Sequence, residues 1–143
     1  MIFLVMMLLV YSCCRKDGYV SGPFQNFHLT CVMRPYDSIA SANKLIGKWK
    51  WISEYSIWTN TIYPADKNVV IIFKADTTFS ETENSVVIAQ GNWNLQIADA
   101  NHWGVHTSMY AQHISGTIYF CDDKVTFITD YVDGPDNLFE KIN

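Results

Sequence analysis

From Gly47 to the C-terminus, apolar and polar residues alternate with a period of two, in short runs rich in β-branched and aromatic side chains. The alternation predicts strands at Lys48–Trp58, Asn68–Lys74, Thr77–Thr82, Val86–Gln96, His106–His113, Ser115–Cys121, Lys124–Tyr131 and Asn137–Ile142. The links between them, such as Tyr63-Pro64-Ala65-Asp66, Ala75-Asp76 and Asp122-Asp123, are short and built from turn-forming residues. Short links make successive strands antiparallel neighbours, and about eight of them in order suffice to close a sheet on itself and remove its free edges. The predicted fold is therefore all-β: a small antiparallel up-and-down barrel of about eight strands. Upstream, Ser38 is a candidate N-cap for a short helix, Ile39 to Ile46, that stops at Gly47 and would cap one end of the barrel.

Alternation also assigns faces. On the first strand Trp49, Trp51, Ser53 and Tyr55 fall on one side and Lys48, Lys50, Ile52 and Glu54 on the other, so the aromatic side is expected to point inward. Trp93 with Leu95 and Ile97, Ile118 with Phe120, and Val125 with Phe127 would continue that lining. The chain has 5 Trp, 8 Tyr and 8 Phe, more than the closed end of a small barrel needs, and the surplus points to a lined cavity. Trp51, Tyr55 and Trp93 are the expected contacts for a small apolar or aromatic molecule. The competing expectation is a barrel filled by its own side chains, since eight strands leave barely enough room for one small ligand. In that case Trp58, Trp103 and Tyr110, near strand ends or loops, would offer an exposed stacking surface to a glycan or a protein partner.

The N-terminus is different in kind. Met1 to Tyr11 is an unbroken apolar run, shorter than the roughly 20 residues of a membrane span but long enough for the hydrophobic region of a signal peptide. It ends in Val10-Tyr11-Ser12-Cys13, which resembles the lipobox of bacterial lipoproteins. The resemblance implies that residues 1–12 are removed, that Cys13 is lipidated (palmitate among its acyl chains), and that the chain is held on the outer membrane, facing the periplasm or the cell surface. The breaker-rich stretch Arg15–Pro23 reads as a tether, within an N-terminal segment 13–37 that precedes the barrel domain at 38–143. Phe24, Phe27, Leu29, Val32 and Met33 are too many apolar groups for a pure linker, so part of that segment is expected to lie against the domain.

Composition narrows the partners. A chain of 143 residues suits one such domain, and its net charge of −4 offers no basic excess for phosphates, so nucleic acid is not an expected partner. Once Cys13 is set aside, Cys14, Cys31 and Cys121 remain. Cys31 and Cys121 are candidates for a disulfide, or else small buried apolar residues. Serine-nucleophile, phosphate-loop and His-Glu-x-x-His signatures are all missing, and no cofactor is implied. His102, His106 and His113 lie close in sequence, but four residues of strand span about 13 Å, too far for two ligands of one ion. Asp130, Asp133 and Asp136 read as turn initiators rather than a calcium cage, and no metal site is expected. The sequence thus predicts a binding protein without catalytic machinery.

Four short motifs in order carry a wider resemblance. Leu45-Ile46-Gly47-Lys48-Trp49 brings a helix into Gly-x-Trp, Phe73-Lys74-Ala75-Asp76-Thr77-Thr78-Phe79 is similar to a Phe-x-x-Asp-Gly-Thr-Phe hairpin, and Gly91-Asn92-Trp93 and Asp133-Gly134-Pro135 follow. Together with the lipobox they resemble the lipocalin-like domains of Bacteroidota lipoproteins, over about residues 40–143. The resemblance implies that Trp49 packs across the closed end of the barrel. Thr77 stands where that pattern carries Gly.

Overall fold

The computed structural model describes residues 37–99, 102–129 and 134–143. The lipidation residue Cys13, the preceding apolar run, the tether, Cys31, Asp130 and Asp133 lie outside the described residues. Among the described residues one helix, α1 (Ser38–Leu45), precedes nine strands: β1 (Gly47–Ser56), β2 (Thr61–Pro64), β3 (Val69–Phe73), β4 (Thr78–Glu83), β5 (Val86–Asp99), β6 (His102–Thr107), β7 (Gly116–Cys121), β8 (Lys124–Ile128) and β9 (Asp136–Ile142). All pairings are antiparallel between neighbours, and β9 returns to pair with β1, so the sheet closes into an up-and-down barrel.

The strand β2 is the one the alternation did not predict, because Tyr63-Pro64 reads as a turn. It adds no ninth position to the ring. Both β2 and β3 run along the same flank of β1, with Ser53 opposite Pro64 and Lys50 opposite Val70, so three steps along β1 match six along the other chain. Pro64 is tolerated because the ladder ends there, and the next donor, the Ala65 N–H, reaches Ile52 O at 3.0 Å. On its other flank β1 carries a bulge: Trp51 faces Phe139 and Ser53 already faces Leu138. The wall of the barrel is thus irregular on both sides of β1 at one level, near Trp51 and Ile52.

One end is closed by α1. Its N-cap is Asp37, one residue before the expected Ser38, with the carboxylate accepting from Ala40 N–H at 2.7 Å. At the other end of the helix Gly47 turns the chain into β1 with φ +137, a backbone region that favours glycine. Trp49 is fully buried beneath the helix and donates from Nε1 to Leu45 O at 2.7 Å. Lys141 lies 5.1 Å from the centroid of that indole and donates to Lys44 O at 3.1 Å. The main cluster includes this floor and fills the barrel, with Ile71, Phe73, Phe79, Trp93, Phe127 and Phe139 among its members. Phe73 meets Trp93 edge-on at 5.3 Å and Phe127 meets Phe139 edge-on at 5.6 Å.

The opposite end holds the β1–β2 and β4–β5 hairpins and the link from β6 to β7. The strand expected at His106–His113 is displaced: β6 ends at Thr107, and residues 108–115 form a loop that folds over the barrel. Ala111 and Ile114 join the central cluster and His113 is buried, whereas Met109 and Tyr110 stay outside. The loop re-enters the sheet at Gly116, with φ +96, where a Cβ would stand 1.9 Å from Ile128 O and only glycine fits. Among the described residues no helix is long and apolar enough to cross a membrane.

Candidate functional site

Among the described residues the interior carries one buried ionisable pair. Period two from Phe79 puts Glu81 on the inward side of β4, level with Ile71 on β3 and Ala89 on β5, and its side chain is fully buried. His113 reaches down from the cap loop and is hydrogen-bonded through Nδ1 to Glu81 Oε1. A buried carboxylate is costly unless it is paired, so this contact ties the loop to the barrel. The pair is incompletely satisfied, since Glu81 Oε2 has no hydrogen-bond partner. The indole of Trp51 packs beside the imidazole, with centroids 5.0 Å apart, and its Nε1 is likewise buried and unpartnered. Donor and acceptor atoms of this kind are uncommon in protein interiors, and two of them flank one histidine.

A cleft of about 340 Å³ opens at the irregular level of β1. Trp51, Tyr63 and Pro64 give it apolar and aromatic walls, Glu54 and Asp66 carboxylates, and His113 its inner face; Lys67 and Gln112 complete the lining. Glu54 comes to the same side as Trp51 through the bulge. Residues opposite one another share a face, so Trp51 lies with Phe139 and Glu54 with Asn137, two residues further along β9. The extra residue turns the strand over, and the expected common face of Trp49, Trp51, Ser53 and Tyr55 ends at Trp51. Tyr55 accordingly packs with Leu138 and Ile52 in a second cluster, apart from the one that contains Trp51, and its hydroxyl meets Asn60 Oδ1 at 2.9 Å.

The three expected contact residues are therefore separated. Trp51 lines the cleft, Tyr55 belongs to the second cluster, and Trp93 lies towards the closed end. The Trp93 Nε1 donates to Lys74 O at 3.2 Å in the β3–β4 turn, and the residue borders a different hollow of about 350 Å³ with Thr77, Asn92, Asn94, His106 and Ser108. Of the aromatics considered for an outer surface, Trp58 and Tyr110 are exposed at the capped end, but Trp103 is half-buried against the central cluster. The three described histidines are dispersed: His102 packs at a tilt against Tyr119 with centroids 5.0 Å apart, His106 borders the second hollow, and His113 holds Glu81. Among the described residues no three His, Cys, Asp or Glu side chains gather as a metal-binding group. Asp136 accepts from Thr129 N–H at 2.8 Å, which fastens the link between β8 and β9. Cys121 is disulfide-bonded, and the other three cysteines of the chain lie outside the described residues.

The sequence reading missed the Glu81–His113 pair. The signal for half of it was present, because the Thr78–Glu83 alternation sets Phe79 and Glu81 on one face. Nothing local announced that residues 108–115 would fold inward. Compared with known family models, curated proteins and solved structures, the chain matches none.

Proposed function

We propose that this protein is a non-catalytic, lipid-anchored lipoprotein of the outer membrane whose small barrel binds a small apolar or aromatic ligand in the cleft beside Trp51. The observation that carries the binding role is that cleft: an aromatic-walled opening where the ladder of β1 is interrupted, backed by a buried pair with an unpartnered oxygen. Among the described residues its lining has carboxylates, an amide, a lysine, a phenol and an imidazole but no serine, threonine or cysteine, which favours binding over acyl transfer. The anchor rests on the apolar run that ends at Ser12-Cys13, and a disulfide at Cys121 suits an oxidising envelope compartment. The resemblance to lipocalin-like lipoproteins agrees with both parts of the reading.

Two experiments test it. The neutral dye N-phenyl-1-naphthylamine should bind the full chain saturably and shift tryptophan emission, and Trp51→Ala should weaken that binding while the far-ultraviolet spectrum keeps its β signature. An affinity near micromolar, about −8 kcal/mol, is within reach of such a cleft. No saturable binding would refute the ligand role. Separately, Cys13→Ala should abolish palmitate labelling and move the protein to the soluble fraction, because acyl burial contributes about 0.8 kcal/mol per CH₂. Continued labelling and sedimentation would refute the anchor.

A second reading is favoured by one feature: Ile57, Trp58, Met109 and Tyr110 are all exposed on loops at the capped end. Saturable dye binding that survives Trp51→Ala but falls with Trp58→Ala and Tyr110→Ala would place recognition of a glycan or protein there instead.

A further inference from the structure

We propose that residues 109–115 are an autoinhibitory plug, latched by the His113–Glu81 contact, and that ligand binding displaces them from the barrel mouth. This inference rests on the binding role given above and specifies how access to that site is controlled.

The segment is fastened lightly for one that closes a barrel. On one side of it Ser108 N–H donates to Asn92 O at 2.9 Å, and on the other β7 begins at Gly116. Among the described residues, residues 109–115 make a single hydrogen bond, the one between His113 and Glu81. The strands that the segment joins are also weakly paired. β6 and β7 face each other at two positions, Gly104 with Thr117 and Val105 with Gly116, whereas β7 and β8 do so at five. Gly116, at φ +96, is the joint at which the chain turns inward. A segment with so few backbone hydrogen bonds opens locally at a fraction of the cost of global unfolding.

The closed form is held by Ala111 and Ile114 in the central cluster and by the latch. Against it stand the two unpartnered atoms beside the latch, Glu81 Oε2 and Trp51 Nε1, which make closure less favourable than a fully satisfied interior would. The plug is also a wall of the site. Gln112 and His113 line the cleft of about 340 Å³, so lifting them joins that space to the part of the mouth that Ala111 and Ile114 vacate. The site is therefore larger open than closed, and a ligand that gains contacts in the open form shifts the population towards it. His113, 5% exposed in the closed form, reports the change.

Footprinting of the full chain with diethyl pyrocarbonate, with and without saturating N-phenyl-1-naphthylamine, tests this. With the dye bound His113 should be modified about tenfold faster, as the open share of the population rises, while the exposed His106 keeps its rate. Ile114→Ala, which loosens the plug, should bind the dye about threefold more tightly, because more of the protein is already open; a residue that merely lined the site would have the opposite effect. Unchanged or slower modification of His113 with the dye bound, or weaker binding by Ile114→Ala, would overturn the plug and leave the cleft as the binding site. The footprint needs no variant, so it decides even where Ile114→Ala fails to fold. Absence of saturable dye binding would overturn the binding role and the plug with it.

Discussion

The two ends of the barrel are closed by opposite means. At the helix end the polar groups that enter the interior find local partners: Trp49 Nε1 bonds Leu45 O four residues away, and Asp37 caps the helix that supplies it. At the loop end a carboxylate is buried against a histidine 32 residues distant, and both Glu81 Oε2 and Trp51 Nε1 lack partners. The first arrangement stabilises the fold. The second leaves buried polar atoms without partners beside a cleft, an arrangement that costs stability.

The contrast can be broken at its strongest point by Trp49→Ala. Emptying a fully buried indole site should cost about 3–5 kcal/mol, whereas Trp58→Ala, at a ring 74% exposed, should cost well under 1 kcal/mol. Equal shifts in urea midpoint would show that the helix end is not the structural one.

The loop end should respond differently. Replacing His113 by Leu strands a buried carboxylate and should cost about 3 kcal/mol, but Glu81→Leu/His113→Leu should recover most of that loss, because a hydrophobic pair needs no desolvation. Additive losses in the double-mutant cycle would mean that Glu81 and His113 are not coupled, which would refute the role given to the pair.

A smaller effect tests whether the helix end is fully optimised. Thr77, in the β3–β4 turn, has φ +66, a strained conformation for a β-branched residue. We expect Thr77→Gly to stabilise the protein by about 1 kcal/mol in denaturant unfolding, the strain relief exceeding the added freedom of the unfolded chain. The smallest effect concerns the neighbouring Asp76. Hydrogen bonds from Thr78, first from its hydroxyl at 2.6 Å and then from its N–H, hold that carboxyl below the ordinary aspartate value of 3.8. A lowered folded-state pKa favours the fold above the unfolded value and ceases to do so as pH falls through the folded one. Asp76→Asn should therefore flatten the stability profile below about pH 4 and change little at neutral pH; an unaltered acid limb would refute the role.

What the sequence could announce follows the same division. The floor was legible because its parts are adjacent: Leu45, Gly47 and Trp49 sit within one helix-to-strand turn, and alternation from Trp49 sets the inward face. Alternation fails where one residue is added, so the bulge after Trp51 made Tyr55 look like its companion, and the turn-forming residues of Tyr63-Pro64-Ala65-Asp66 concealed the end of β2. His113 was illegible for another reason. In Ala111-Gln112-His113-Ile114 two polar residues stand between apolar ones, a pattern that does not tell a strand from a loop, and only the contact with Glu81 across the barrel shows that the segment folds inward.

The interruption of β1 also bears on time. A closed ring of strands opens most easily where its rungs are missing, and around Trp51 and Ile52 they are irregular on both flanks. Beyond that level β1 still pairs with β9 from Ser53 to Tyr55, so the β1–β2 hairpin is fastened to the wall along one flank only. If a ligand is held beside Trp51 as proposed, its residence time would follow local opening of this singly fastened hairpin rather than global unfolding, and tenure and stability would be set by separate residues of one strand.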